Sequence, residues 1–304
     1  MQPARNGGTV INVEGLRKTY GRLAAVDGID FSVRRGEIFG LLGPNGAGKT
    51  TAVECIQGLR PFDAGSVDVV GLDPRTQADE LRQRIGCQLQ QSALPDNIRV
   101  WEALDMFASL YGSPVDWRRL IDQWGLAEKR TARFHSLSGG QKQRLFVALA
   151  LVNDPEVVFL DEMTTGLDPA ARRVAWSLVE ELREQGTTVV LVTHFMDEAE
   201  RLCDRIAVVE GGHIVANDTP MGLVSSSGGG IRAVFGCDPA ADLAFLTAVP
   251  GVGEVRRGGR RVEVAGDGPH VALVAHDLAP EDFRVQQPSL EDAFLRLTGH
   301  GMEE

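Results

Sequence analysis

IFGLLGPNGAGKTT, residues 38–51, decides the fold. Residues 38–42 are a short, nearly all-apolar run, the texture of a strand buried on both faces of an α/β sheet. The chain passes directly from it into GPNGAGKT (43–50), which fits G-x-x-x-x-G-K-[ST], and TAVECIQGL continues at helical spacing. A glycine-rich turn between a buried strand and a helix is the context in which this pattern holds phosphate. Gly43, Gly46 and Gly48, interleaved with Pro44, Asn45 and Ala47, let backbone N–H groups turn inward with no Cβ in the way. The helix that follows points its positive end at the same anion. Lys49 adds a point charge for the outer phosphates, and the Thr50 hydroxyl, followed by Thr51, can ligand Mg2+.

The rest of the chain supports a globular reading. It has 304 residues, 42 acidic and 31 basic, and a formal net charge of −11. That balance gives no electrostatic reason to bind nucleic acid. No apolar run approaches the roughly 20 residues of a spanning helix, and MQPARNGGTV lacks the apolar segment of a signal peptide. Cys55, Cys87, Cys203 and Cys237 are far apart and form no CxxC pair, so they read as small buried apolar side chains rather than a zinc site or a disulfide framework.

Strands are expected at 10–16 and 28–33, before the deciding stretch. Residues 79–150 are helical in periodicity and rich in aromatics, a helical insert whose subdomain spans about 88–150. Buried-strand texture returns at 156–162, then a helix at 169–185, a strand at 187–194, a short helix at 196–203 and strands at 205–211 and 213–218. Strand alternating with helix implies a largely parallel sheet with right-handed crossovers. SSSGGG (225–230) has the composition of a flexible linker between a first domain, 1–224, and a second, 231–304. The second reads as strands at 231–236, 252–256, 260–265 and 282–286, helices at 239–248 and 269–277, and a terminal helix at 289–298. That order suggests a small α+β ferredoxin-like domain.

Two further motifs carry chemistry. EVVFLDE (156–162) sets two carboxylates at the end of a buried strand. Adjacent acids there are often a solvated cap. Beside a phosphate loop, Asp161 fits a holder of Mg2+ and Glu162 the residue that orients or deprotonates an attacking water. LSGGQ (137–141) opens the helical run KQRLFVALALV with an N-cap serine and exposed backbone N–H groups, a second anion site. Alone, Ser-Gly-Gly is usually a cap. With one phosphate loop and one such site per chain, a two-fold dimer could complete the chemistry between subunits.

Together these motifs resemble the ATP-binding cassette (ABC) transporter ATPases, over about residues 10–220, and LSGGQ is the signature of that family. The resemblance implies ATP and Mg2+ as ligands and assigns further positions. Tyr20 in KTYG matches the aromatic that stacks on adenine, and Val26 the apolar contact beside it. Gln90 in IGCQLQQ matches the glutamine that contacts Mg2+ or water and senses the membrane partner; Gln88 and Gln91 are its neighbours. Ser138, Gly139, Gly140 and Gln141 match the signature that faces the other subunit's nucleotide. Asp168 in TTGLDP matches an aspartate at the dimer interface and is equally an N-cap before Pro169. His194 in LVTH matches the histidine that contacts the γ-phosphate. One position departs from the commonest pattern, DEPTTGLDP: Met163 stands where proline is usual. Proline biases the preceding residue toward extended backbone, so its loss is expected to loosen Glu162 without removing any chemical group.

PSLEDAFLRLTG (288–299) and TTGLDPAARR are closer to drug-export ATPases of the daunorubicin-resistance type. The tail is also an amphipathic helix, with Leu290, Ala293, Phe294 and Leu297 on one face. The expectation is an α/β ATPase with a helical subdomain and a small C-terminal dimerisation or regulatory domain. It is a peripheral subunit at the cytoplasmic face of the membrane that pairs with a second copy and a separate transmembrane permease. Residues 92–111 are the expected permease contact. Two rivals are a soluble ABC ATPase of translation or DNA repair and a nucleotide-gated module without turnover.

Overall fold

Two long strands, β1 (Thr9–Tyr20) and β2 (Leu23–Arg34), form a hairpin ahead of β3 (Ile38–Leu42), the glycine-rich turn and α1 (Lys49–Ile56). The computed structural model describes residues 8–89, 93–112, 114–226, 231–237, 243, 245–246, 252–266, 281–286, 288–299 and 301. Then come β4 (Ala64–Val69), α2 (Ala78–Arg84), β5 (Ile85–Gln88), α3 (Val100–Ala108), α4 (Trp117–Gln123) and α5 (Gly139–Ala150). These lead to β6 (Val157–Asp161), α6 (Pro169–Glu184), β7 (Thr188–Thr193), α7 (Met196–Leu202), β8 (Arg205–Glu210) and β9 (His213–Asp218). The chain divides into two compact units, one running to Thr219 and the other Pro220–Gly301.

The first unit holds two sheets. One is antiparallel, β2-β1-β4; the other has the order β5-β6-β7-β3-β8-β9. In the larger sheet β5, β6, β7, β3 and β8 run parallel and only β9 is antiparallel, at the edge. Every residue of β3, β6 and β7 is buried, as an apolar run covered on both faces requires. The core between the sheets joins Ile11, Leu16, Ile29 and Val69 to Phe39 and Leu41, with Ala52, Val53, Cys55 and Ile56 of α1 packed among them. The turn after β3 is thus anchored by a helix that is itself core. The four cysteines are free, with Cys55 and Cys203 buried.

The expected helical insert contains a strand, β5, which pairs with β6 and belongs to the central sheet. Its helices α3 and α4 pack on each other and α5 returns to β5, burying Leu145 and Val147 to Ala150. β4 was not expected either: its exposed Ala64, Gly65 and Ser66 leave only Val67 and Val69 pointing inward.

The second unit opens with α8 (Pro220–Ser226), so the expected linker 225–230 begins inside a helix and the boundary falls at 219 rather than 224. Strands β10 (Ile231–Gly236), β11 (Val252–Gly258), β12 (Arg261–Gly266) and β13 (Glu281–Gln286) pair antiparallel in the order β11-β12-β10-β13. That order suits a βαββαβ chain. The helix expected at 269–277 lies outside the described residues, as does most of that at 239–248. The terminal helix α9 (Leu290–Thr298) is capped by Ser289 and Asp292, buries Leu290, Ala293 and Phe294, and packs on α8.

Candidate active site

The glycine turn is shaped by what surrounds it. A Cβ on Gly43 would lie 2.2 Å from the Val209 carbonyl oxygen of β8, and one on Gly48 2.1 Å from that of Ala25. Gly48 also has φ 101, in the left-handed region, as it caps α1. Lys49, 5% exposed, folds back so that Nζ donates to the carbonyls of Gly43 at 2.6 Å and Pro44 at 2.8 Å. Burial lowers its pKa, against the raising effect of Glu162, Asp161 and Glu210. Its charge is held close to the carboxylates at the end of β6.

Asp161 ends β6, one strand beyond β7 from β3. Burial and then the Glu162 charge push its carboxyl up to about 6, against a hydrogen bond from Thr50. Its Oδ1 is buried with no hydrogen-bond partner among the described residues. A buried carboxylate oxygen beside a threonine hydroxyl suits a hard divalent cation. Mg2+ commonly takes only one or two protein ligands, the rest being water and phosphate.

Ahead of Met163, the backbone of Glu162 is left-handed, with φ 50. Its N–H donates to the Val192 carbonyl at 2.9 Å, and Oε1 lies 3.1 Å from Nδ1 of His194. Left-handed backbone in a non-glycine residue costs on the order of 1–3 kcal/mol and is often found at functional sites. Met163 is buried, at 1% exposure. His194 follows β7, and the Thr193 hydroxyl accepts from Phe195 N–H at 2.9 Å just before α7.

The other expected residues sit elsewhere. Tyr20 is half-exposed, with Lys18 Nζ 5.6 Å and the Arg60 guanidinium 5.4 Å from its ring centre. Val26 is 1% exposed and packs within the core, so it presents almost no surface to a ring. Gln90 lies outside the described residues. Ser138 caps α5, its hydroxyl accepting from Gln141 N–H at 3.3 Å while Gln141 Oε1 accepts from Ser138 N–H at 2.9 Å. Asp168 caps α6 by accepting from Ala170 and Ala171 N–H. The structure brings Lys49, Thr50, Asp161, Glu162 and His194 together. Ser138 to Gln141 open α5, and Ser138, Gly139, Gly140 and Asp168 line one cavity.

Two residues of this region were not singled out from sequence. Gln88, at the end of β5, donates to the carbonyl oxygens of Leu89 and Asp161 and so fastens β5 to the carboxylate strand. Glu198 is fully buried in α7 and accepts from Trp176 Nε1 at 3.0 Å. Burial raises its pKa against hydrogen bonds from Thr193, Thr164 and Trp176, so it links the elements leading to His194 and out of Met163. MDEAE reads locally as a solvated acidic face, and only the packing of α7 on α6 reveals the difference.

A phosphate-type loop, paired carboxylates and a histidine at the C-terminal ends of neighbouring parallel strands define a nucleotide-hydrolysing cassette. Residues 26–165 match the ABC transporter family. The chain is 38% identical to the Nod factor export ATP-binding protein I of Ralstonia nicotianae, over 97% of this chain and 95% of that protein. Among solved structures it is similar to cbiO1 of Clostridium perfringens, part of the ABC transporter complex cbiONQ, with TM-score 0.65, 27% identity, and 71% and 91% of the two chains covered. It is also similar to a dimeric ATP-binding cassette in a post-hydrolysis state bound to ADP and Pi, with TM-score 0.62, 25% identity, and 69% and 98% covered. The chain belongs to the ABC transporter ATP-binding family and is an ABC-type ATPase.

Proposed function

We propose that this chain is the ATP-hydrolysing subunit of an exporter, acting as a pair of copies on a separate membrane-spanning permease. The supporting observation is the 3.1 Å Glu162–His194 pair beside Asp161 and the buried Lys49. Tyr20 offers a half-exposed ring for adenine, with Val26 behind it in the core. Residues 43–51 cradle the phosphates, and Lys49 exchanges two loop carbonyls for phosphate oxygens. Ser138 to Gln141 and Asp168 of each copy face the other's nucleotide. Glu162 takes a proton from water as its oxygen attacks the γ-phosphorus in line, the bond to the bridging oxygen breaks, and ADP and phosphate leave. His194 holds the γ-phosphate and, before that, the Glu162 carboxylate. Thr50 and Asp161, with Gln90, would hold Mg2+, which neutralises phosphate charge when bound. Most of the acceleration comes from positioning and charge. Phosphate release from MgATP by the purified chain is the test; a chain that binds ATP and never releases phosphate would instead be a nucleotide-gated module.

The export reading draws on the relative named for Nod factor export, whose match runs through the second unit as well. The drug-export resemblance of the tail narrows the cargo to a drug-like or lipophilic compound. No helix among the described residues is long and apolar enough to cross a membrane, so a permease would supply the path. The surface for it is a groove of about 400 Å3 whose lining includes Cys87, Leu94, Phe107, Tyr111 and Phe146. Leu59 and Leu89 line it and are exposed, and the exposed Met106 and Leu110 neighbour Phe107 and Tyr111 in sequence. Exposed apolar side chains grouped at a concave surface favour a protein partner. With that partner the chain would sit at the cytoplasmic face of the membrane. Phe107→Asp is expected to abolish co-purification with the permease while MgATP affinity stays unchanged; retained co-purification would remove the groove from the interface.

The second unit has no recognisable nucleotide motif, and we assign it to subunit pairing or regulation. Truncation after Thr219 is expected to leave MgATP binding in place and to weaken self-association, read by titration and sedimentation. Lost nucleotide binding would mean that the first unit depends on the second.

A further inference from the structure

We propose that a cavity between α5 and α6 is a binding site for a small anionic molecule with a flat apolar body, of the chemistry of an aromatic carboxylate. The cavity measures about 310 Å3, at the small end of ligand pockets. Its lining includes Trp124 at the end of α4, Gln143, Arg144 and Val147 of α5, and Met163 and Val174. No residue of 43–51 lines it, so it is distinct from the phosphate loop.

Its unmet groups are donors. The Trp124 Nε1–H and the Gln143 Nε2 are buried with no acceptor among the described residues. The Arg144 guanidinium donates to the carbonyls of Trp124 and Gly125 at 3.3 Å and Gly140 at 3.4 Å, and makes no ion pair among the described residues. The carboxylate on the wall, Asp168, is already used by the N–H groups that begin α6. Buried donors without acceptors are uncommon in folded proteins and costly. A ligand carboxylate would meet them and the guanidinium charge together, while a flat ring packs on the indole and the valines. A cation or a purely donating molecule would leave the same groups unmet.

The probes are 2-naphthoate, its neutral carboxamide and 2-naphthylmethylammonium, titrated calorimetrically into the nucleotide-free full chain. That condition keeps the result independent of the subunit arrangement, since Ser138 to Gly140 also border the cavity. Naphthoate is expected to saturate one site per chain, the carboxamide to bind more weakly, and the ammonium not to bind. Val174 is 49% exposed, so Val174→Trp can fill the cavity from its outer side without disturbing the core. It and Arg144→Gln should each weaken naphthoate binding by about tenfold or more, with unchanged MgATP affinity reporting an intact fold. A second filling variant, Val147→Phe, serves if either fails to fold. No saturable naphthoate binding, binding unaffected by Val174→Trp or Val147→Phe, or equal binding of the ammonium would overturn the assignment.

Discussion

Glu162→Gln is expected to lower the steady-state rate of ATP hydrolysis by roughly 10²–10⁴-fold, the range for removing a general base, while MgATP binding survives. The amide keeps the shape of the carboxylate and can still meet His194 Nδ1, now 3.1 Å from Oε1. What it loses is the capacity to take a proton. The backbone at Glu162, with φ 50 and an N–H held by Val192, has no reason to change. A fall in rate with intact binding therefore isolates the chemical step. Hydrolysis at the parent rate would show that the proton goes elsewhere.

Ser138→Arg is the second large effect: hydrolysis falls to background while a single chain binds ATP almost as before. The change removes an N-cap hydroxyl that accepts from Gln141 N–H at 3.3 Å. Loss of such a cap costs about 1 kcal/mol, small against the roughly 5–15 kcal/mol that holds a domain together. The fold should survive, so lost activity would come from the bulk and charge placed where the partner's phosphates are proposed to lie. The hydrogen bonds of Ser138 stay within its own cap, with Gln141, and reach none of Lys49, Asp161, Glu162 or His194, so nucleotide binding within one chain has no cause to weaken. Hydrolysis at full speed by the isolated variant would refute the facing arrangement.

What the sequence made legible follows the range of the forces involved. β3, β6 and β7 are buried on both faces, and a run such as IFGLL carries that information in itself. The caps at Ser138 and Asp168 are equally local, each a side chain bonding to backbone two or three residues on. β4 and β5 were hidden because their signal lies in their partners. AGSVDV has two inward valines and becomes a strand by pairing with β1; IGCQ follows α2 without a breaker and is fixed by β6. The boundary of the second unit was misplaced by a few residues because serine and glycine composition says nothing of α8 packing on α9. At the site, motif spacing found Lys49, Asp161 and Glu162, and the family resemblance added His194. Neither found Gln88 or the buried Glu198, whose roles depend on contacts with β6 and α6. The left-handed backbone of Glu162 was equally out of reach, because the proline rule is local and the Glu162 N–H donates to the Val192 carbonyl of the neighbouring strand β7.

The central claim is that two copies enclose two nucleotides, each between the phosphate loop of one chain and Ser138 to Gln141 of the other. Sedimentation of the Glu162→Gln chain with and without MgATP tests it most directly. The account predicts a monomer without nucleotide and a dimer retaining two ATP when nucleotide is present, with the dimer lost when Ser138→Arg is added to the same chain. A Glu162→Gln chain that binds ATP to saturation and stays monomeric, or a dimer indifferent to Ser138→Arg, would contradict it.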